Sequence, residues 1–169
     1  MRASTGVVRA ACFNILGDAV ADANVLDLFA GVGSLGLEAL SRGARRATFV
    51  ELRRERAALI AQNALALGYR EVAEVVTADV IPWLRSHREQ VAQAALVLLD
   101  PPYLDPGPAL CRAALEQLGE TAAGVGTWAP EVVVEHHRQL QLPDAAGALN
   151  CVRQSRYGTT QLSFYRRTQ

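Results

Sequence analysis

Two stretches of this 169-residue sequence concentrate side chains able to do chemistry. The first runs Asp27-Leu-Phe-Ala-Gly-Val-Gly-Ser-Leu-Gly36, with Gly31, Gly33 and Gly36 in a GxGxxG spacing four residues behind a carboxylate. Glycine lets a backbone turn tightly and approach a ligand closely. The second is Asp100-Pro101-Pro102-Tyr103, which follows a run of six apolar residues, Ala94–Leu99. Two prolines after a buried strand stop the ladder and stiffen the chain. A rigid loop with a carboxylate, a carbonyl and a phenol ring suits a planar amine. The lone pair of an exocyclic amino nitrogen is delocalised into its ring, so acceptors must draw on its N–H groups before it attacks an electrophile. The Asp100 carboxylate and the Pro101 carbonyl supply two acceptors. Tyr103 supplies a face for stacking, worth about 1–3 kcal/mol per base at comparable sites.

The glycine turn narrows the co-substrate. A dinucleotide would set its pyrophosphate on the following helix N-terminus. A carboxylate at Asp27 repels a pyrophosphate but attracts the ammonium and sulfonium of S-adenosylmethionine. That cofactor is therefore expected over a dinucleotide, with Asp27, Phe29, Gly31, Gly33 and Ser34 of the turn in contact with it. Glu51 ends the next strand 20 residues after Gly31. Its two oxygens could accept from both ribose hydroxyls, although a solvated acid capping the next helix has the same position. Asp79 ends the third strand, either to meet the adenine amino group or to cap a helix.

The remaining composition excludes more than it indicates. Acids and bases balance at 17 each, which argues against tight binding driven only by counterion release and leaves a local basic patch open. Every basic side chain is arginine, which suits phosphate but equally reflects a compositional bias spread along the chain. Cys12, Cys111 and Cys151 form no CxxC pair, and no zinc site is expected. Cys12 and Cys111 read as core residues, and all three as reduced thiols in the cytoplasm. No apolar run reaches the roughly 20 residues of a membrane span. His136-His137 follow a strand and read as surface residues.

The elements that must position these groups alternate. Helical patterns cover 5–16, 34–41, 53–67 and 107–119; strands cover 24–29, 47–51, 72–78, 94–100 and 131–135. The chain closes on extended runs 149–156 and 159–166 about Tyr157-Gly158, a hairpin. Alternating strands and helices imply an α/β fold with a mostly parallel sheet, its last hairpin antiparallel.

These motifs resemble those of the class I methyltransferases, and more narrowly the RsmD family, which methylates the N2 amine of a guanine in bacterial small-subunit ribosomal RNA. The order DLFAGVGSLGLEALSRGA, Glu51, DPPY carries the resemblance. Val8–Leu16 is similar to the family's "VREALFNIL" helix, Glu135 stands where the family has an acid, and Tyr157-Gly158-Thr159 with Phe164-Tyr165 matches its final hairpin. The resemblance implies a Rossmann-like seven-stranded sheet, S-adenosylmethionine on Asp27, Gly31, Glu51 and Asp79, and a base pocket around Asp100–Tyr103. It implies ribosomal RNA as partner, free or in an assembled small-subunit particle, and a cytoplasmic monomer with neither metal nor membrane. Family members begin with a basic, glycine-containing segment before an "RPTTDRVRE" motif. This sequence opens inside that motif, with Ala3 for proline and Ala10 for glutamate, so one domain over 1–169 without the arm is expected. An adenine-N6 or other amino methyltransferase, a non-catalytic cofactor- or RNA-binding domain, and a dinucleotide oxidoreductase are the alternatives.

Overall fold

The computed structural model describes residues 5–168. The altered opening motif at residues 1–4 lies outside the described residues. Helix α1 (Gly6–Leu16) is capped by the Thr5 hydroxyl and ends at Gly17, whose φ of 52° suits glycine. A 3-10 turn (Gly17–Val20) leads into β1 (Asn24–Leu28), and α2 (Ser34–Ser41), β2 (Arg46–Glu51), α3 (Arg54–Ala66) and β3 (Ala73–Thr77) follow. Then come α4 (Val80–Ser86), α5 (Arg88–Val91), β4 (Leu96–Leu99), α6 (Gly107–Gly124) and β5 (Glu131–His137). The chain ends with β6 (Ala145–Ala146), β7 (Leu149–Tyr157) and β8 (Thr160–Arg167).

All eight strands form one sheet in the order β3-β2-β1-β4-β5-β8-β7-β6. The first five strands are parallel, and β8 runs antiparallel between β5 and β7. Residues of alternating strand positions feed two cores. Leu26, Leu28, Val97 and Leu99 pack with α4 and α6, while Val25, Phe49, Leu96 and Leu98 pack with α1, α2 and α3. Cys12 and Cys111 are buried in these cores, and burial pushes both thiols up to about 12. No helix among the described residues is long and apolar enough to cross a membrane.

Three expectations need correction, and one segment without an assigned element proves helical. The sheet has eight strands rather than seven, because Ala145–Ala146 pairs with Leu149–Asn150 around the left-handed Gly147. Helix α6 does not stop at Gly119. A Cβ on Gly119 would stand 2.0 Å from the Ala146 carbonyl oxygen, so the glycine is there to let the β6 backbone approach mid-helix. Residues 80–91 form α4 and α5, which bury Val80, Trp83, Leu84 and Val91; Pro82 is tolerated because it lies in the first turn of α4. Strand β5 runs two residues past Glu135, and His136 is 2% exposed rather than on the surface. Its Nε2 lies 2.8 Å from the Ser163 hydroxyl, and burial lowers its proton affinity.

Candidate active site

The glycine turn begins where β1 releases the chain. Phe29 takes φ 57°, Gly31 62° and Gly33 86°. A bulky residue at positive φ is rare and tends to persist where surrounding structure enforces it. The Ala30 amide donates to the Val50 carbonyl at 3.1 Å and the Gly33 amide to the Ala30 carbonyl at 2.8 Å. Gly33 then caps α2, with Ser34 its first residue.

Two carboxylates lock this turn. Asp27, 1% exposed, accepts from the Gly36 amide at 2.9 Å. Glu51, 4% exposed, accepts from the Gly31 amide at 2.7 Å and from the Arg53 amide at 2.9 Å. Glu51 is therefore not the solvated acid of the alternative reading; each oxygen holds one backbone amide and keeps one further lone pair for a ligand. Burial pushes the Asp27 carboxyl up to about 8, against the opposing pull of the Gly36 amide, and Glu51 adds to the rise. Asp79 stands at the start of α4, exposed, and its side chain makes no capping bond.

Gly36 shows how tightly the turn is seated. A Cβ there would lie 2.3 Å from the Phe49 ring and 3.0 Å from the Asp27 carboxylate. Phe49 is fully buried, so the ring cannot yield cheaply. Gly36→Ala is expected to destabilise the fold by about 1–3 kcal/mol, read as a fall in Tm of several degrees. An unchanged Tm would show that the turn is looser than drawn.

A cavity of about 350 Å³ opens beside the turn at the carboxyl ends of the parallel strands, where open α/β sheets take ligands. Phe29, Val80, Pro102 and Leu110 give it apolar walls; Glu51 and Asp79 supply acceptors; Arg53 and Arg56 stand in its lining. Its size falls within the range of about 300–1,000 Å³ for small-molecule sites. Asp27, Gly31, Gly33, Ser34, Asp100 and Tyr103 do not line this cavity; the turn residues shape the backbone behind it. A larger groove of about 780 Å³ lies at the amino ends of the strands, among Asn24, Arg46, Glu74 and Gln90. It has none of the glycine-turn or proline-loop residues.

The second stretch leaves β4 at the same edge. Pro101 is buried and Pro102 partly so. The Pro102 carbonyl packs so closely on Gly107 that a Cβ there would stand 1.6 Å from its oxygen. Asp100 is raised well above the usual carboxylate range by burial first, then by the nearby charges of Glu135 and Asp27. The Tyr103 hydroxyl lies 2.9 Å from the Thr160 hydroxyl and donates to the Glu135 carboxylate at 3.4 Å. The Tyr103 ring meets the His137 ring edge-on at 5.9 Å. Strand register sets Asp27 in β1, Glu51 at the end of β2, Asp100 just past β4 and Glu135 within β5 on one face of the sheet, toward the carboxyl ends of these parallel strands. Sequence reasoning placed the first three at strand ends and reached Glu135 only through the family pattern. It missed Gly107, which packs on the Pro102 carbonyl of the same loop, and Thr160, whose partner Tyr103 lies 57 residues away and leaves no local signal.

The donor set suits a cationic nucleoside better than a pyrophosphate. The amides of Gly31 and Gly36, which a dinucleotide turn would aim at phosphate, are held by Glu51 and Asp27 instead. Among the described residues no group of three or more His, Cys, Asp or Glu side chains could hold a metal.

Fold and site together define the class I methyltransferase architecture: a glycine turn after β1, an acid after β2, a proline loop after β4 and an antiparallel terminal hairpin on a parallel sheet. The family model described as "Conserved hypothetical protein 95" matches residues 1–166, and the chain belongs to that family, the RsmD family to which its motifs point. YlbH of Bacillus subtilis (strain 168), provisionally assigned as an rRNA methyltransferase, is 29% identical over 169 residues, 98% of this chain and 88% of that one. Ribosomal RNA small subunit methyltransferase D of Escherichia coli (strain K12) is 37% identical over 103 residues, covering 61% of this chain and 50% of that protein. A conserved Streptococcus pyogenes protein of solved structure superposes with a TM-score of 0.82 at 28% identity, over 95% of this chain and 96% of that one. An RNA methyltransferase from Salinibacter ruber, solved with S-adenosyl-L-homocysteine, superposes with a TM-score of 0.70 at 15% identity over 99% and 95%, a likeness of fold.

Proposed function

We propose that this chain transfers a methyl group from S-adenosylmethionine to the exocyclic N2 amine of a guanine in small-subunit ribosomal RNA. The observation that carries the reading is the placement of the Asp100–Tyr103 loop next to a 350 Å³ cavity whose polar lining includes the acceptors Glu51 and Asp79 with Arg53 and Arg56. Family membership and a relative that is a ribosomal RNA small subunit methyltransferase support the substrate class.

S-adenosylmethionine, when bound, supplies an electrophilic methyl carbon on a positively charged sulfur. Phe29, Val80 and Leu110 of the cavity lining would enclose the adenine, Asp79 would accept from its amino group, and Glu51 would accept from the ribose. Asp27 supplies negative charge behind the turn. The ionised Asp100 carboxylate and the Pro101 carbonyl accept the two amine N–H groups, so that the nitrogen lone pair turns toward the methyl. As the nitrogen–carbon bond forms, the methyl–sulfur bond would break and its electron pair stay on sulfur, leaving S-adenosylhomocysteine, while the amine's surplus proton goes to Asp100. Much of the acceleration then comes from holding nitrogen and methyl in line.

Methyl-labelled S-adenosylmethionine should be incubated with the protein and either naked small-subunit RNA or assembled small-subunit particles. Label incorporated at one site in either substrate is the expected result. No label in either, with the cofactor bound, would overturn the reading in favour of a non-catalytic binding domain.

A further inference from the structure

The proline loop has the cofactor cavity on one side and the tip of the β7–β8 hairpin on the other. Thr160, first residue of β8, holds the Tyr103 hydroxyl, and His137, last residue of β5, meets its ring. Immediately outside these two stand Arg138 and Arg156, both exposed. The Arg138 amide donates to the Thr159 carbonyl at 2.9 Å, which ties it to the hairpin tip. The Arg156 Nε donates to the Gln161 side-chain oxygen at 3.1 Å, a neutral partner.

Their electrostatic setting differs from that of the five arginines held in ion pairs. Among the described residues, Arg9, Arg42, Arg45, Arg88 and Arg166 make ion pairs with Glu38, Asp22, Glu120 and Glu131. Arg138 and Arg156 make none. Asp144 is the one acid between His136 and Gln161, and its carbonyl binds the Cys151 amide near the opposite end of β7. The hairpin tip carries none of the exposed large apolar side chains among the described residues; the exposed Leu104 follows Tyr103 in the adjoining proline loop. A positive, polar tip beside a planar-group loop fits a polyanion better than an apolar protein face. A guanidinium fork matches phosphate oxygens, and phosphate contacts fix the register of a nucleic acid without reading its bases.

We propose that Arg138 and Arg156 form a phosphate-docking surface for the RNA strand whose base enters beside Tyr103. This rests on the RNA-methylating reading above. The hairpin would then carry two linked tasks: its tip holds the strand, and Thr160 holds the tyrosine next to which the base must sit.

The test is binding of a single-stranded small-subunit RNA fragment, followed by fluorescence anisotropy across a salt series. Arg138→Ala/Arg156→Ala should weaken binding on the order of tenfold at low salt and reduce the salt slope by about 1.4, from two lost single-strand contacts at roughly 0.7 each. S-adenosylmethionine affinity should stay unchanged. Arg45→Ala, which removes a charge ion-paired with Asp22 at the opposite edge, should leave RNA affinity and slope as they are. Unchanged affinity and slope in the double variant would overturn the proposal, leaving Arg138 and Arg156 as solvated surface charges. So would an equal loss in Arg45→Ala. Loss of binding in the double variant together with no methyl transfer by the wild type would support the docking surface and overturn the methylation reading.

Discussion

Asp100→Ala is expected to abolish methyl transfer while leaving S-adenosylmethionine affinity within a few-fold of wild type. The reason is positional: the carboxylate leaves β4 beside Pro101, whereas the cavity is walled by Phe29, Glu51 and Asp79. A specific pH dependence accompanies the prediction. Burial raises the Asp100 pKa well above the carboxylate range, and Glu135 and Asp27 raise it further, since each disfavours a second negative charge nearby. Below that raised value the group is protonated and cannot take the amine proton. kcat/KM should therefore rise with pH about tenfold per unit, then level off once Asp100 ionises. Asp100→Asn retains the shape but has no ionisation, so its residual activity should lack this limb. Transfer near the wild-type rate in Asp100→Ala would remove the acceptor role.

Asp27→Asn should move stability and cofactor binding in opposite directions. The folded carboxyl titrates at about 8 against an ordinary value of 3.8. Below about pH 4 it is protonated in both states and contributes no pH dependence. As pH rises from about 4 to 8 the unfolded chain releases this proton and the folded chain retains it, so the unfolded state gains. Above about 8 the folded group is ionised too, and the full penalty, on the order of 5 kcal/mol, is in place. The wild type should lose stability across that window, and Asp27→Asn should lose less of it. The Asn side-chain oxygen can still accept from the Gly36 amide, so its Tm at pH 8 should exceed that of wild type. The same variant should bind S-adenosylmethionine about tenfold or more weakly, since the negative charge behind the turn is gone. Calorimetry at pH 7 should also show proton release when the wild type binds the cofactor, and none from this group in the variant. Equal affinity in both proteins would remove Asp27 from cofactor binding.

Much of the fold was legible because glycines punctuate it. Gly17, Gly43, Gly68 and Gly158 all sit at positive φ where helices or strands end, and the parallel strands are short apolar runs bounded by them. Gly119 obeys a different logic. It answers to the Ala146 backbone across space, so reading it as a helix stop shortened α6. The β6 strand escaped notice because two residues carry no alternation. Residues 80–91 escaped for want of glycine boundaries, although Val80, Trp83 and Leu84 have helical spacing.

The site divides along the same line. Chain position placed Asp27, Glu51, Asp79 and Asp100 at strand ends on one edge, since parallel strands end together. Spacing does not show where a carboxylate turns. Asp27 and Glu51 each bind amides of the glycine turn, an arrangement set by side-chain rotamer and burial. Tyr103 was read as a stacking face; the contact of its hydroxyl with Thr160 joins positions 57 residues apart and had no local trace.

The central claim is that the acceptor is a guanine amine. The most direct measurement is mass spectrometry of nucleosides digested from small-subunit RNA after reaction with isotopically labelled S-adenosylmethionine. Labelled N2-methylguanosine is the predicted product, absent with Asp100→Ala. Label in N6-methyladenosine, or on carbon or ribose oxygen, would contradict it.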